Sequence, residues 1–252
     1  LSSLQWVLIG GAPPPSSMIA AARAQLNIDC FVGYGLSETC PLVTIALIKS
    51  TLDSHPQAEL YARKAMTGLP GVGSEVRVVN SAGQDVAPDG TEIGEIWARG
   101  DNVMRGYHNL PEETALALAG GWFHTGDLAT IDSEGYLQIK DRKKDIIISG
   151  GENISSVEIE DVFYQSPAVQ EAAVIAVPDD RWGEVPLALV VLKPGHTATA
   201  AELLAFVGER LPRFKHPRSV EIRTEFPKTG TGKIIKNELR DPYWAGLETR
   251  IH

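Results

Sequence analysis

Near the end of this 252-residue chain, Pro227-Lys228-Thr229-Gly230-Thr231-Gly232-Lys233 combines glycines with a lysine. Glycine lets a backbone approach a phosphate closely and an ammonium offsets phosphate charge, but by itself such a glycine-rich turn is a weak signal. It is not the phosphate loop Gly-x-x-x-x-Gly-Lys-Ser/Thr: Pro227 replaces the first glycine and Ile234 the hydroxyl that would bind magnesium. Upstream, Tyr34-Gly35-Leu36-Ser37-Glu38 sets an aromatic ring, a hydroxyl and a carboxylate within five residues. Further glycine-bearing turns are Gly10-Gly11-Ala12-Pro13, Gly121-Trp122-Phe123-His124-Thr125-Gly126-Asp127 and Ser149-Gly150-Gly151-Glu152-Asn153, the last preceded by the basic run Arg142-Lys143-Lys144. Taken one at a time, these residues have plain structural readings. Tyr34 can end a buried strand, Ser37 and Glu38 can start a helix, Asp127 can sit in a turn, and Arg142 and Lys144 can be solvated charges.

Composition narrows the classes. With 43% hydrophobic and 22% charged residues, the chain can bury a core of one large or two smaller domains. A formal charge of -9 argues against nucleic acid or an anionic membrane surface as the main partner. Cys30 and Cys40 show no metal-ligand or disulfide spacing, which fits a reducing cytoplasm. The apolar runs fall short of the roughly 20 residues that cross a bilayer, so no transmembrane segment is expected.

The elements that must position these residues follow from periodicity and punctuation. Trp6–Ile9, a helix over Ser16–Leu26 and Cys30–Tyr34 read as a βαβ unit whose glycine turns lie beyond the C-terminal strand ends, where such sheets bind ligands. From about residue 67 to 139, short β-type runs with turn residues predict a small antiparallel, barrel-like sheet interrupted by a helix starting at Pro111. After Lys144 come alternating strands and helices, with Ser155/Glu158 and Thr199/Glu202 as capping boxes and Pro167 and Pro212 closing the helices. The expected fold class is therefore α/β: the end of a parallel α/β subdomain (residues 1–50), a β-rich, barrel-like subdomain (51–140), and a small α+β C-terminal domain (141–252). The strand-like start at Leu1 reads as a chain cut from something longer.

Taken in order, these motifs, with Gly94-Glu95 through Gly106-Tyr107 and Asp141-Arg142-Lys143-Lys144-Asp145, resemble the adenylate-forming superfamily of acyl-CoA synthetases, luciferases and nonribosomal-peptide adenylation domains. The resemblance implies an ATP-dependent ligase that forms an acyl-adenylate and pyrophosphate, then a thioester of coenzyme A. It implies that Tyr34 stacks on adenine beside Gly11, Ala12, Pro13 and Gly35, and that Ser37 meets the α-phosphate. Glu38 would hold Mg2+, and Asp127 with Arg142 would bind the ribose. Lys144 falls at the family's hinge between two domain arrangements, Gly150 and Gly151 at its pantetheine tunnel, and Lys233 at its adenylation lysine.

The runs Ser37-Glu38-Thr39-Cys40-Pro41 and Val103-Met104-Arg105-Gly106-Tyr107 look most like those of medium- to long-chain fatty-acyl-CoA synthetases, with a fatty acid as the carboxylate. The Ser/Thr/Gly-rich phosphate loop of the family is not found, so the chain is expected to be the C-terminal half of such an enzyme and to adenylate poorly alone. Two alternatives stay open: an adenylation protein loading a carrier-protein thiol, and a non-catalytic relative that binds AMP or acyl-adenylate. The oligomeric state is not legible.

Overall fold

Trp6–Ile9 (β1) and Asp29–Tyr34 (β2) are parallel, joined by the helix Ser16–Leu26 (α1), as the apolar runs predict. The computed structural model describes residues 3–11, 14–230 and 232–246, so the expected site residues Ala12 and Pro13 lie outside the described residues. Asn27 ends α1 in the left-handed conformation, and its N–H reaches back to the carbonyls of Ala22 and Arg23. Ile19 on α1 packs with Ile28, Cys30, Val7 and Ile9, which fixes the helix across the two strands. Because β1 and β2 are parallel, Gly10-Gly11 and Tyr34-Gly35 leave the sheet at the same end.

Thr44–Ile45 (β3) and Leu69–Pro70 (β4) extend this sheet antiparallel, in the order β1-β2-β3-β4, with the helix Gln57–Lys64 (α2) between them. A second sheet holds Ser74–Val79 (β5), Gly94–Gly100 (β6), Phe123–Ile131 (β7) and Leu137–Arg142 (β8) in sequence order, and the helix Pro111–Ala117 (α3) precedes β7. Here the barrel-like expectation is corrected: the sheet is open, with β5 and β8 at its two ends. The four strands pair in a linear order that leaves β5 and β8 unpaired with each other, so nothing closes the sheet. Its core is Val78, Ile96, Ala129 and Leu137.

Ile147–Ser149 (β9) and Glu152–Ile154 (β10) form a hairpin around Gly150-Gly151, followed by Ser156–Tyr164 (α4). Val169–Asp179 (β11) and Gly183–Leu192 (β12) make a long antiparallel pair, Ala200–Gly208 (α5) follows, and Ser219–Arg223 (β13) returns parallel to β12. The last helix is Lys236–Trp244 (α6).

Side chains alternate across β11. Ala172, Val174 and Ala176 pack with α4 and α5, while Ala173 and Ile175 pack with Phe226, Ile234 and Leu239 around α6. A sheet covered on both faces explains why these strands read as unbroken apolar runs. Thr199 and Glu202 form the expected reciprocal cap of α5. At α4, Ser155 accepts from the Glu158 N–H, and the Glu158 carboxylate accepts from Lys215 Nζ at 2.6 Å.

Compactness divides the chain into two units, Leu1–Lys140 and Asp141–His252. Among the described residues no helix is long and apolar enough to cross a membrane.

Candidate active site

In the first unit the register of β6 and β7 positions the key carboxylate. Glu95 pairs with Leu128 and Trp97 with His124, so Ile96 alone faces the three residues Thr125, Gly126 and Asp127. Such a bulge re-aims the side chains it carries. Thr125 Oγ1 donates to the Ile96 carbonyl at 2.7 Å, the Asp127 N–H donates to Thr125 Oγ1 at 3.1 Å, and the Gly126 N–H donates to Glu95 Oε1 at 3.0 Å. Asp127, 5% exposed, accepts the Tyr34 hydroxyl on Oδ2 at 2.7 Å. Two expected site residues 93 positions apart are thereby joined, the aromatic at the end of β2 and the carboxylate of β7. Tyr34 also packs against two apolar clusters of this unit, one around Ile96 and one around Phe123.

After Tyr34 the chain turns sharply. A Cβ on Gly35 would lie 1.7 Å from the Pro41 carbonyl oxygen, so only glycine fits. Ser37 and Glu38 then lie in a single 3-10 turn, Ser37–Thr39. The buried Thr39 hydroxyl closes the turn, accepting from the Leu36 N–H at 2.9 Å, and Asn102 donates from Nδ2 to the carbonyls of Thr39 and Leu42. Ser37 is exposed. Glu38 is half-buried, and its Oε1 accepts the Tyr107 hydroxyl at 3.0 Å. Burial, then the hydrogen bond and charge of Glu38, push the Tyr107 phenol above its ordinary pKa, so it stays a donor to the carboxylate at neutral pH. Gly11 has a left-handed φ of 91° beyond β1.

A magnesium ion would find in Glu38 one carboxylate at a half-buried turn. The described residues hold no group of three or more His, Cys, Asp or Glu arranged for a metal. One protein carboxylate beside substrate phosphates is a usual way to bind Mg2+, so the donor set fits.

In the second unit, Arg142 closes β8 and its N–H donates to Asp141 Oδ1 at 2.7 Å. Lys144 is exposed, and its carbonyl accepts from Arg240 at 2.8 Å. Gly150 turns the β9–β10 hairpin at a φ of 61°, and a Cβ there would meet Trp182 at 2.6 Å. Gly151 is left-handed at 91°.

Lys233 is exposed on a tight loop before α6. Lys228 and Ile234 bridge across it. The Gly232 N–H donates to the Thr229 carbonyl, the Thr229 N–H to the Lys233 carbonyl, and the Lys233 N–H to Thr229 Oγ1 at 3.1 Å. Within one unit the structure joins Tyr34 with Asp127. Arg142, Lys144, Gly150, Gly151 and Lys233 belong to the other unit.

Residue types alone did not single out Tyr107, Asn102 or Glu95. Tyr107 was visible only as part of the Gly106-Tyr107 run, and Asn102 and Glu95 act through contacts far apart in sequence. Lys236 and Arg240 were also missed, although two charges four residues apart in a helix with buried Trp244 were a usable signal.

Comparison with known proteins gives this geometry a context. Residues 1–108 match the family model described as AMP-binding enzyme, and residues 158–233 match the AMP-binding enzyme C-terminal domain. The expectation of a C-terminal half alone is thereby corrected, since the chain carries matches to both parts of the adenylate-forming domain. Probable acyl-activating enzyme 8 of Arabidopsis thaliana is 44% identical over 93% of this chain and 44% of its own length. A feruloyl-CoA synthase of Amycolatopsis sp is 44% identical over 95% of this chain and 46% of its own. The structure of o-succinylbenzoate CoA synthetase from Bacillus subtilis, in complex with its acyl-adenylate intermediate, superposes with a TM-score of 0.80. It is 33% identical and matches 94% of this chain and 46% of that one. The chain spans about half the length of the curated relatives it matches. One AMP-binding enzyme model matches within the first unit and the other within the second, so each unit of the chain is similar to that family.

Proposed function

We propose that the protein works as an AMP-forming acid–thiol ligase, activating an apolar carboxylate as its acyl-adenylate and passing the acyl group to coenzyme A. The observation that carries this reading is the bonded pair Tyr34–Asp127, set beside the Glu38–Tyr107 pair at the end of a parallel βαβ unit. Tyr34 offers a ring face to adenine. Asp127 offers carboxylate oxygen to ribose hydroxyls, with Arg142 as a further donor. Ser37 would donate to the α-phosphate. Glu38 would hold Mg2+, which when bound offsets phosphate charge. Gly11 and Gly35 line the approach of the nucleotide, Gly150 and Gly151 that of the thiol arm, and Lys144 is the hinge. Lys233 stabilises the charge that builds up as the carboxylate attacks the α-phosphate.

For the acid, we take a medium- to long-chain fatty acid as the first substrate to test, on the strength of the Ser37–Pro41 and Val103–Tyr107 runs. The relative named a feruloyl-CoA synthase makes ferulate the competing arm. Cys30 and Cys40 are both free thiols, in keeping with a reducing compartment such as the cytoplasm.

Two half-reactions test the reading: carboxylate-dependent ATP–pyrophosphate exchange, and thioester formation from preformed acyl-adenylate and coenzyme A. Exchange is the more demanding, because it calls on the β- and γ-phosphates, for which the sequence shows no Ser/Thr/Gly-rich loop. Lys233→Ala should lower exchange by roughly 100-fold or more and leave thioester formation within a few-fold. Equal loss in both half-reactions would sink the role given to Lys233. Binding of AMP with neither half-reaction would replace the ligase by a nucleotide-binding relative.

A further inference from the structure

Helix α6 begins three residues after Lys233, and on successive turns its half-buried Lys236, through Ser156, and its buried Arg240 reach one short segment of chain. Lys236 Nζ lies 2.7 Å from Glu160 Oε1 and donates to Ser156 Oγ at 2.7 Å. Ser156 in turn donates from Oγ to Asp141 Oδ2 at 2.8 Å and from its N–H to the same oxygen at 2.5 Å. Asp141 is 2% exposed. One turn on, Arg240 donates to the Lys144 carbonyl at 2.8 Å, to Asp145 Oδ1 at 3.3 Å and to Asn237 Oδ1 at 2.7 Å. The segment 141–145, where the chain passes from one unit to the next, is thus held at both ends by α6.

Burying one cation and half-burying a second is expensive. Glu160 is 9% exposed and accepts from the Val174 N–H at 2.6 Å as well as from Lys236, while Arg240 Nε is buried without a hydrogen-bond partner. Well-packed apolar residues would hold α6 against β11 at least as firmly, so stability alone does not account for the charges. Beside Arg240 lies a cavity of about 220 Å³ lined by Lys144, Asn237 and Trp244, so the segment is not fully packed on that side. Directional bonds rather than close packing fix its position there.

We propose that α6 couples the Lys233 loop to the 141–145 segment, with Lys236 and Arg240 as its positioning residues. A change of backbone torsion at Lys144 then pulls on α6 through the Lys144 carbonyl, and α6 carries the displacement to the loop that presents Lys233. This deepens the proposed function and rests on it for the catalytic consequence only, because the coupling itself can be read without turnover.

Amide hydrogen exchange on the full chain reads it. The reporters at one end are the N–H groups of Asp145 and Ile146, which donate to the Arg142 carbonyl; at the other they are Gly232 and Ile235, which donate to Thr229 and Pro227. Arg240→Met should speed exchange roughly tenfold at 145–146, which Arg240 touches, and also at 232–235, which it does not, with β11 and β12 unchanged. Lys236→Met should give the same two-ended response from the other side, read relative to β11 and β12, whose exchange rises in common with the second unit's loss of stability. Lys236→Arg should restore most of the protection. If each variant loosens only its own end, the coupling is wrong. Where a methionine variant loosens β11 as well, Arg240→Lys, which keeps the charge but cannot make all three bonds, carries the test, and a one-ended response overturns the proposal equally. Two-ended coupling should also change the adenylation and thioester half-reactions unequally, a split that general loosening does not produce. Failure of the Lys233 assignment appears separately, as Lys233→Ala retaining exchange of pyrophosphate with both amide sets still protected.

Discussion

At the scale of single residues, the first unit is organised around Tyr34 and its neighbour Gly35. The Tyr34 hydroxyl satisfies a carboxylate oxygen of Asp127, which is almost wholly buried. Tyr34→Phe keeps the ring and removes that donor, leaving a buried charge less well paired. It should lower the stability of the first unit by about 1–3 kcal/mol, measured by urea unfolding, while the ring face proposed to stack on adenine remains. AMP titration calorimetry on the same variant separates the two contributions: the ring face is kept and the orientation of Asp127 is lost, so affinity should fall but not vanish. Gly35→Ala is the harsher change. Its Cβ would fall inside the Pro41 carbonyl, so the turn carrying Ser37 and Glu38 must move, at a cost of about 3 kcal/mol or more. Wild-type unfolding for that variant would refute the close approach.

At the scale of elements, what could be read from sequence depended on whether the signal was local. Helix α1 reads as an apolar, alanine-rich run between two strands, α4 and α5 announce themselves also by their caps, and Thr199 with Glu202 forms the reciprocal pair its spacing implies. Helices α2 and α6 are polar on average, one of only eight residues and the other carrying Pro242, so neither stands out as an apolar run. The barrel-like expectation failed because short β runs give strand number and direction but not closure. The glycine turns were legible as turns. The meeting of Tyr34 with Asp127 was legible only through family resemblance, because a three-against-one bulge leaves no periodic trace.

One element-scale prediction follows from the cap of α5. Thr199→Ala should cost about 1 kcal/mol, measured by urea unfolding near neutral pH. Hydrogen bonds from the Thr199 backbone and side chain hold the Glu202 carboxyl below its ordinary pKa of 4.5. A depressed carboxyl stabilises above its unfolded value and loses that contribution as pH falls through the folded one. The gap between wild type and Thr199→Ala should therefore narrow in acid; a gap that stays constant down through the carboxylate range would contradict the reciprocal cap.

At the scale of the whole molecule, each unit has its own core. Ile96, Leu137 and their neighbours serve the first, while Phe163, Ile159 and Val190 serve the second. Phe163→Ala, emptying a site that is 0% exposed, should lower the second unit's stability by about 3–5 kcal/mol. Calorimetry should show that loss in one transition and not in the other.

The second unit should also carry a distinct alkaline limit, set by Lys236. Burial pulls its ammonium pKa down. The charges of Glu160 on α4 and Asp141 on β8, the hydrogen bond to Glu160, and Asp145 after β8 outweigh that and hold it above the ordinary lysine value of 10.5. A cation whose folded pKa is raised stabilises fully below its unfolded value and loses that contribution as pH rises through the folded one. Lys236→Met leaves two buried carboxylates without their cation, which should cost about 3–5 kcal/mol near neutral pH. As pH rises beyond 10.5, wild type loses its advantage and the two unfolding midpoints should converge. A midpoint difference that stays the same across that alkaline range would mean that Lys236 holds α6 by packing and not by charge.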